Sequence, residues 1–347
     1  ICAATVATAH KKRDFQLGSW GDCMTTSLGR LFLFACLLFS PAALAQSYPN
    51  RTVTIVVTSA AGALTDVLTR AISQRLSQQW GQTIVVENRG GGGHNLAAAA
   101  VAKADRDGYT LLATETSFVT VQPHLYAKGK LPFNAETDFI PVAGYAGIPI
   151  ALLTNPSVPA KSVAELIALA KQKPGAITYG TAGPGTALHT SALLLQSLAG
   201  IKLTAVHYRG AGPALNDVVA GHINMVTMGP SVALPSVRSG KINMLGFGSA
   251  KRLPQFPDVP TISETLPGYQ SNVSFGLLAP TGTPREVIAK INAGAQQVIN
   301  DPEFHKRFLE RLVVQPLPGP QAAFAEYLHN ESAKWAKVIK DAQLKID

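Results

Sequence analysis

Three short stretches hold the residues most able to bind or transform a ligand. The first is Ser59-Ala60-Ala61-Gly62, followed by Thr65 and Asp66. The second is Thr181-Ala182-Gly183-Pro184-Gly185-Thr186, with His189 beyond it. The third is Glu115-Thr116-Ser117. Small residues and glycines let the backbone approach a ligand closely. Hydroxyls and a histidine add hydrogen-bonding groups. What is missing limits the chemistry. Ser59, Ser117 and Ser231 stand in no G-x-S-x-G elbow. His94, His189 and His207 have no metal-ligand spacing such as HExxH. Glu87-Asn88-Arg89-Gly90-Gly91-Gly92-Gly93 lacks the Lys-Ser/Thr of a phosphate loop. It reads as a mobile turn that holds inter-strand geometry. Asp66 has the chemistry of a general base, but as an N-cap type it reads more simply as a brace for its own loop. The pattern points to anion binding without catalysis, metal or cofactor.

The elements around these stretches give that reading its physical basis. Val53, Ile55, Val56 and Val57 form a β-branched run, read as a buried strand. After the Ser59–Gly62 turn, Val67, Leu68, Ala71, Ile72 and Leu76 recur at helical spacing. The same order returns at Ile177–Tyr179, the Gly183-Pro184-Gly185 turn, and a helix carrying Leu188, Leu194, Leu195 and Leu198. The first amides of a helix lack internal partners and sit at the positive end of its dipole, so each turn is a seat for an anion. Two such seats on one chain suggest two lobes facing one ligand. Met225, Met228 and Met244 fall on strand patterns, with Met228 at a strand end near the cleft. Arg209 has a guanidinium fork suited to a carboxylate, or to a surface or inter-lobe contact.

The strand–helix alternation from Thr52 to Ala113 calls for a parallel sheet with right-handed crossovers. The alternation from Pro149 to Phe247 calls for a second α/β lobe. Ser162 with Glu165 reads as a capping box. From Pro284 onward the chain is read as helical, ending in an amphipathic helix with Phe324, Leu328, Trp335, Val338 and Ile339 inward. With no low-complexity linker, the lobes are expected to join through strands crossing at about 147–153 and 272–279. The boundaries are then 46–148 and 273–347 for lobe 1 and 149–272 for lobe 2.

Met24 opens a stretch with Arg30, an apolar run from Leu31 to Phe39, and Ala43-Leu44-Ala45. This is the pattern of a secretory signal peptide over 24–45, cut near Ala45, with 1–23 read as doubtful upstream translation. Cys2, Cys23 and Cys36 all precede the cut, so disulfides and thiol chemistry are not expected in the exported chain. Residues 1–45 carry four basic and two acidic side chains, which leaves the remainder with +7 of the chain's formal charge of +9. That balance suits an anionic ligand or membrane surface. The cations are scattered singly rather than in blocks interleaved with aromatics, which argues against nucleic acid.

Eight collinear motifs carry a resemblance: TVTIVVTSAAGALTD, VVENRGGGG, DGYTLL, NPSVPAKSVAELIALAK, YGTAGPGTALH, YRGAGPALND, SAKRLPQFPDVPTISE and SFGLLAPTGTP. The chain from Tyr48 onward resembles the periplasmic substrate-binding proteins of tripartite tricarboxylate transporters, the Bug or TctC-like family. The resemblance implies an α/β, two-lobed Venus-flytrap fold of the type II periplasmic binding protein kind, each lobe a mainly parallel sheet flanked by helices. It implies a non-catalytic, monomeric receptor that closes on a small carboxylate. The receptor would hand that ligand to the large and small membrane subunits of a transporter. A signalling module with the same lobes, or an exported α/β enzyme acting on a small acid, are the competing readings. The site residues implied are Ser59, Ala60, Ala61, Gly62, Thr65, Asp66, Glu115, Thr116, Ser117, Thr181, Ala182, Gly183, Gly185, Thr186, His189 and Met228. Several positions depart from the family pattern. Ser59 stands where an aromatic is usual, Glu115 where a small or hydroxyl residue is usual, and Met228 where an acid is common. His94 replaces a usual glycine and His207 a usual proline. A carboxylate at position 115 predicts a ligand with one carboxylate and a donor or cation at its far end.

Overall fold

The computed structural model describes residues 48–345 except 91–94, 128–129, 209, 311 and 318. The signal peptide and its cut, the three cysteines, Gly91–Gly93, His94 and Arg209 lie outside the described residues. From Pro49 on, the chain forms one compact unit containing two sheets.

The first sheet has the order β11-β4-β10-β3-β1-β2. It opens with β1 (Val53–Val57), whose five residues are buried or nearly so, as a strand covered on both faces must be. Helix α1 (Leu64–Trp80) follows, then β2 (Ile84–Asn88), helix α2 (Asn95–Ala102) and β3 (Thr110–Glu115). β1 pairs in parallel with β2 and β3, as the alternation requires. The long β4 (Phe139–Pro149) and β10 (Asn272–Pro280) pair antiparallel with each other, and β10 runs antiparallel to β3. The short β11 (Gln315–Pro316) closes the edge.

The second sheet has the order β7-β6-β8-β5-β9. Here β5 (Ala151–Thr154) leads to helix α3 (Val163–Gln172), β6 (Thr178–Thr181), helix α4 (Ala187–Ala199) and β7 (Thr204–His207). Helix α5 (Ala211–Ala220), β8 (Met225–Met228), helix α6 (Pro230–Arg238) and β9 (Asn243–Phe247) complete it. β6 is parallel to β7 and β8, while β5 is antiparallel to β8 and β9. Both sheets are therefore mixed. Strands that arrive from the other sheet are not bound by the helical crossover rule, which makes only the β-α-β runs parallel.

The chain first crosses between the sheets at one residue, and it returns between β9 and β10. β4 ends at Pro149 and β5 begins at Ala151. Ile150 between them donates its N–H to the Ser271 carbonyl (3.0 Å) and accepts from the Gly248 N–H (2.7 Å). β4 extends ten residues before the strand expected at Pro149. Its Gly144, Gly147 and Pro141 disguise a strand locally. Gly144 is required by packing: a Cβ there would lie 2.6 Å from the Phe324 ring.

The C-terminal half brings helix α7 (Arg285–Ile299) and helix α8 (Gln321–Asp341). The five apolar residues expected inward on α8 are all buried. Phe324 and Leu328 join the core of the first sheet, with Phe118, Phe133 and Phe139. Trp335, Val338 and Ile339 join the core around α3, β6 and α4. One helix thus packs on both halves. Ser162 caps α3 by accepting from the Glu165 N–H (3.2 Å), but Glu165 reaches back to the Lys161 amide, one residue beyond the expected box.

Candidate functional site

The two glycine turns form as the sequence predicts, with different internal wiring. The first helix begins at Leu64 with Ala63 at the N-cap, so neither Thr65 nor Asp66 caps it. Asp66 stands in the first turn and is almost fully buried. Its carboxylate accepts from the Gly62 N–H (2.9 Å), from Arg70 Nε (2.8 Å) and from Asn88 Nδ2 (2.9 Å). Burial pushes the pKa of this group up; the Gly62 amide, Asn88 and Arg70 outweigh burial and hold the carboxyl below its ordinary range. It is a brace, not a poised base. Asn88 also donates to the Ser59 carbonyl (3.1 Å), and Gly90 lies so close that a Cβ would meet the Ala60 nitrogen at 3.0 Å. Asn88 and Gly90 thus do more than hold strands apart: they press the first turn into shape.

Around the second turn, the Gly183 N–H donates to Thr181 Oγ1 (3.1 Å), which meets His207 Nδ1 at 2.7 Å. Thr186 Oγ1 donates to the Gly183 carbonyl (2.7 Å). The Gly185 N–H donates to His189 Nδ1 (3.1 Å), which places the ring proton on Nε2. His189 is buried, stacked 6.2 Å from Tyr179 and edge-on 5.2 Å from His207. Burial, with His207 second, pulls it down to about 4, so the ring is neutral at pH 7. Gly183 and Gly185 both have positive φ, 120° and 74°, conformations open to glycine. Their amides are engaged within the loop. The donors left for an anion are the opening amides of the helices, Leu64 to Asp66 in α1 and Ala187 to His189 in α4, which no intrahelical carbonyl can reach.

The third stretch lies beside the first. The Thr58 hydroxyl donates to Thr114 Oγ1 (3.2 Å), and the Thr116 N–H donates to the Ser274 carbonyl (2.8 Å). Glu115, Thr116 and Ser117 then wall a small polar cavity of about 20 Å³, room for about one water. Its opposite wall is the start of α4, with Ala187, Thr190 and Ser191. Its back is the strand entry Ser271–Ser274 with Glu331 and Trp335 of α8. A larger hollow of about 440 Å³ near Phe139, Leu278 and Leu328 has mostly apolar walls and no helix start. The small cavity is the candidate site because both halves of the molecule contribute to it.

Among the residues singled out in the sequence, Glu115, Thr116 and Ser117 reach the cavity. Residues 59–66 and 181–186 form turns at the C-terminal ends of the interior strands β1 and β6, and neither they nor His189 are among its walls. Met228 is 2% exposed and packs among Ala151, Val226 and Phe247, so it serves the core of the second sheet. Sequence reasoning placed Asn88 in a mobile turn and passed over Thr190, Ser191 and Asn272. Thr186 and Thr190 are an i,i+4 pair with Ser191 next to them, a short hydroxyl stripe on an otherwise Leu-rich helix; that signal was available.

Two α/β halves joined where the chain crosses at Ile150 and returns between β9 and β10, with a polar cavity between them and helix starts beside it, define a solute-binding protein of the two-lobed kind. The family model described as "Tripartite tricarboxylate transporter family receptor", TctC, matches residues 68–344. The chain belongs to this family. It is similar to a UPF0065 protein encoded in the tcbD-tcbE intergenic region of Pseudomonas sp. strain P51, 33% identical over 86% of this chain and 88% of that one. Among solved structures it is similar to R. palustris Rpa4515 with adipate, at 33% identity and TM-score 0.73, covering 86% of this chain and 99% of that chain. It is also similar to the periplasmic binding protein BugD, at 30% identity and TM-score 0.69, covering 86% and 99%. The protein is therefore a periplasmic substrate-binding receptor of the tripartite tricarboxylate transporter family. Among the described residues, no helix is long and apolar enough to cross a membrane.

Proposed function

We propose that this receptor captures a small carboxylate between its lobes and delivers it, chemically unchanged, to the large and small membrane subunits of a tripartite transporter. The observation that carries the reading is the convergence of the Glu115–Ser117 turn and the start of α4 on one inter-lobe cavity. Opening helix amides attract an anion, and hydroxyls fix its orientation. The ligand residues on this reading are Ser59 to Gly62, Thr65 and Asp66 on one lobe, Glu115 to Ser117 beside them, and Thr181 to Gly183, Gly185, Thr186 and His189 on the other. Lobe 1 comprises 46–148 and 273–347, and lobe 2 149–272. The working form is a monomer, cut near Ala45.

Calorimetric titration with mono-, di- and tricarboxylates, against wild type and Ala187→Asp, tests this reading. An aspartate in the first turn suits the helix dipole and should leave the fold intact by circular dichroism. It sets a like charge at the anion seat, and affinity should fall tenfold or more. Unchanged affinity would remove the start of α4 from the site. Ligand recovered with altered mass after incubation would show catalysis instead of carriage.

A further inference from the structure

Several hydroxyls of the cavity are engaged with protein acceptors, while two of its own acceptor groups are left over. The Ser117 hydroxyl donates to Glu115 Oε1 (2.9 Å) and the Thr190 hydroxyl to the Thr186 carbonyl (3.2 Å). Ser191 Oγ is bonded to Ser271 Oγ and Ser274 Oγ to Tyr327 Oη, each at 2.5 Å. Two carboxylates line the cavity, Glu115 and Glu331, with no lysine or arginine among the lining residues. Glu331 is matched: Oε1 accepts from Lys334 Nζ (2.6 Å) and Oε2 from the Trp335 indole N–H (3.1 Å). Lys334 is itself committed, donating also to the Gln270 carbonyl (3.0 Å) and lying 4.7 Å from the centre of the Trp335 ring. Glu115 is not matched. Among the described residues it enters no ion pair within 4.0 Å. Asn272 lines the same cavity, and its Oδ1 is shielded from solvent with no hydrogen-bond partner.

We infer that Glu115 reads the far end of the ligand, so that this receptor takes a molecule with a carboxylate at one end and a cationic nitrogen at the other. The inference rests on the receptor reading above. An ammonium or protonated ring nitrogen donates to the Glu115 carboxylate and to the unbonded Asn272 Oδ1, and neutralises the unpaired charge. A second ligand carboxylate would instead meet a fixed negative group in a partly buried site. At about 4 Å that repulsion is enough to lower affinity roughly a hundredfold or more. The recognition is one of charge type and leaves chain length to the space between the lobes.

The test compares matched pairs that differ only at one end: succinate with 4-aminobutyrate, glutarate with 5-aminopentanoate, and adipate with 6-aminohexanoate. Each is titrated calorimetrically into wild type, Glu115→Gln and Glu115→Lys at one ionic strength. Wild type should favour the amino member of at least one pair by tenfold or more. Glu115→Gln, nearly isosteric, should shrink that preference at least tenfold, and Glu115→Lys should reverse it. Preference of wild type for the dicarboxylates, or a preference unchanged in Glu115→Gln, overturns the assignment while leaving a carboxylate receptor standing. Failure of all three proteins to bind any member of any pair overturns the receptor reading, and this assignment with it.

Discussion

At the scale of single residues, binding turns are held by side chains that do not themselves need to touch ligand. Asn88 is the clearest case, donating to Ser59 and Asp66 and accepting from Arg70 Nη2 at 2.7 Å. Asn88→Ala should cost about 1–2 kcal/mol of stability, as expected for a partly buried polar network losing one member. It should also weaken ligand affinity several-fold, because the first turn loosens. Urea denaturation and calorimetry read the two effects separately. Its partner Asp66 contributes stability that is present above the ordinary carboxyl value of 3.8 and is lost as pH falls through its lower folded value. His189 has the opposite chemistry and the same direction. Its folded value of about 4 lies below 6.5, so the unfolded chain binds the extra proton between those values. Stability from His189 is complete above pH 6.5 and is lost as pH falls toward 4, by roughly 3 kcal/mol in all. Stability curves of wild type and His189→Gln over pH 4–7 should differ in slope across that window. Parallel curves would mean that the ring is not held neutral by the fold.

At the scale of elements, the close approach of α8 to the first sheet depends on two absent side chains. A Cβ at Gly144 or Gly276 would run into Phe324, from β4 and β10 respectively. These strands carry the chain between the sheets, so their spacing from α8 sets the back of the cavity. Gly276→Ala should cost about 1–3 kcal/mol through overpacking. Phe324→Leu should recover part of that loss in the double variant although it is destabilising by itself. A double-mutant cycle from thermal or urea unfolding measures the coupling, and strict additivity would show that the two positions do not press on each other.

At the scale of the whole molecule, α8 ties the halves together. Phe324 and Leu328 belong to one core, and Trp335, Val338 and Ile339 to another. Trp335 is buried, and its indole N–H donates to Glu331 at the cavity. Trp335→Ala should destabilise by about 3–5 kcal/mol. Its effect should exceed that of a buried residue serving one core, because both the seat of α8 and the back wall of the cavity depend on it. Differential scanning calorimetry should show a lower and broader transition, with the two halves no longer melting together. A bound ligand at a hundred times its dissociation constant should stabilise wild type by about 2.7 kcal/mol through mass action. The same ligand should stabilise Trp335→Ala less, since that variant binds it more weakly.

The local signals in the chain determined much of this. Continuous β-branched runs at Val53–Val57 place a doubly covered strand, and the inward apolar spacing on α8 needed no knowledge of its partners. The two strand–turn–helix units, and so the anion-ready helix starts, follow from small residues set between opposite periodicities. Packing across the molecule decided the rest. The mixed pairing of β4, β5 and β10 depends on where the chain returns from the other sheet, which no local period encodes. Gly144 reads as a strand breaker until Phe324 occupies the space it leaves. Met228 sits at a strand end near the cleft in sequence, yet the pleat and its neighbours turn it into the core. Gly183 and Gly185 carry amides whose availability depends on Thr181 and His189, residues two and four positions away along the chain. The unmatched charge of Glu115 emerges only when β10 and α8 enclose it, because hydrogen bonds from residues far apart in the chain determine which donors are already spent.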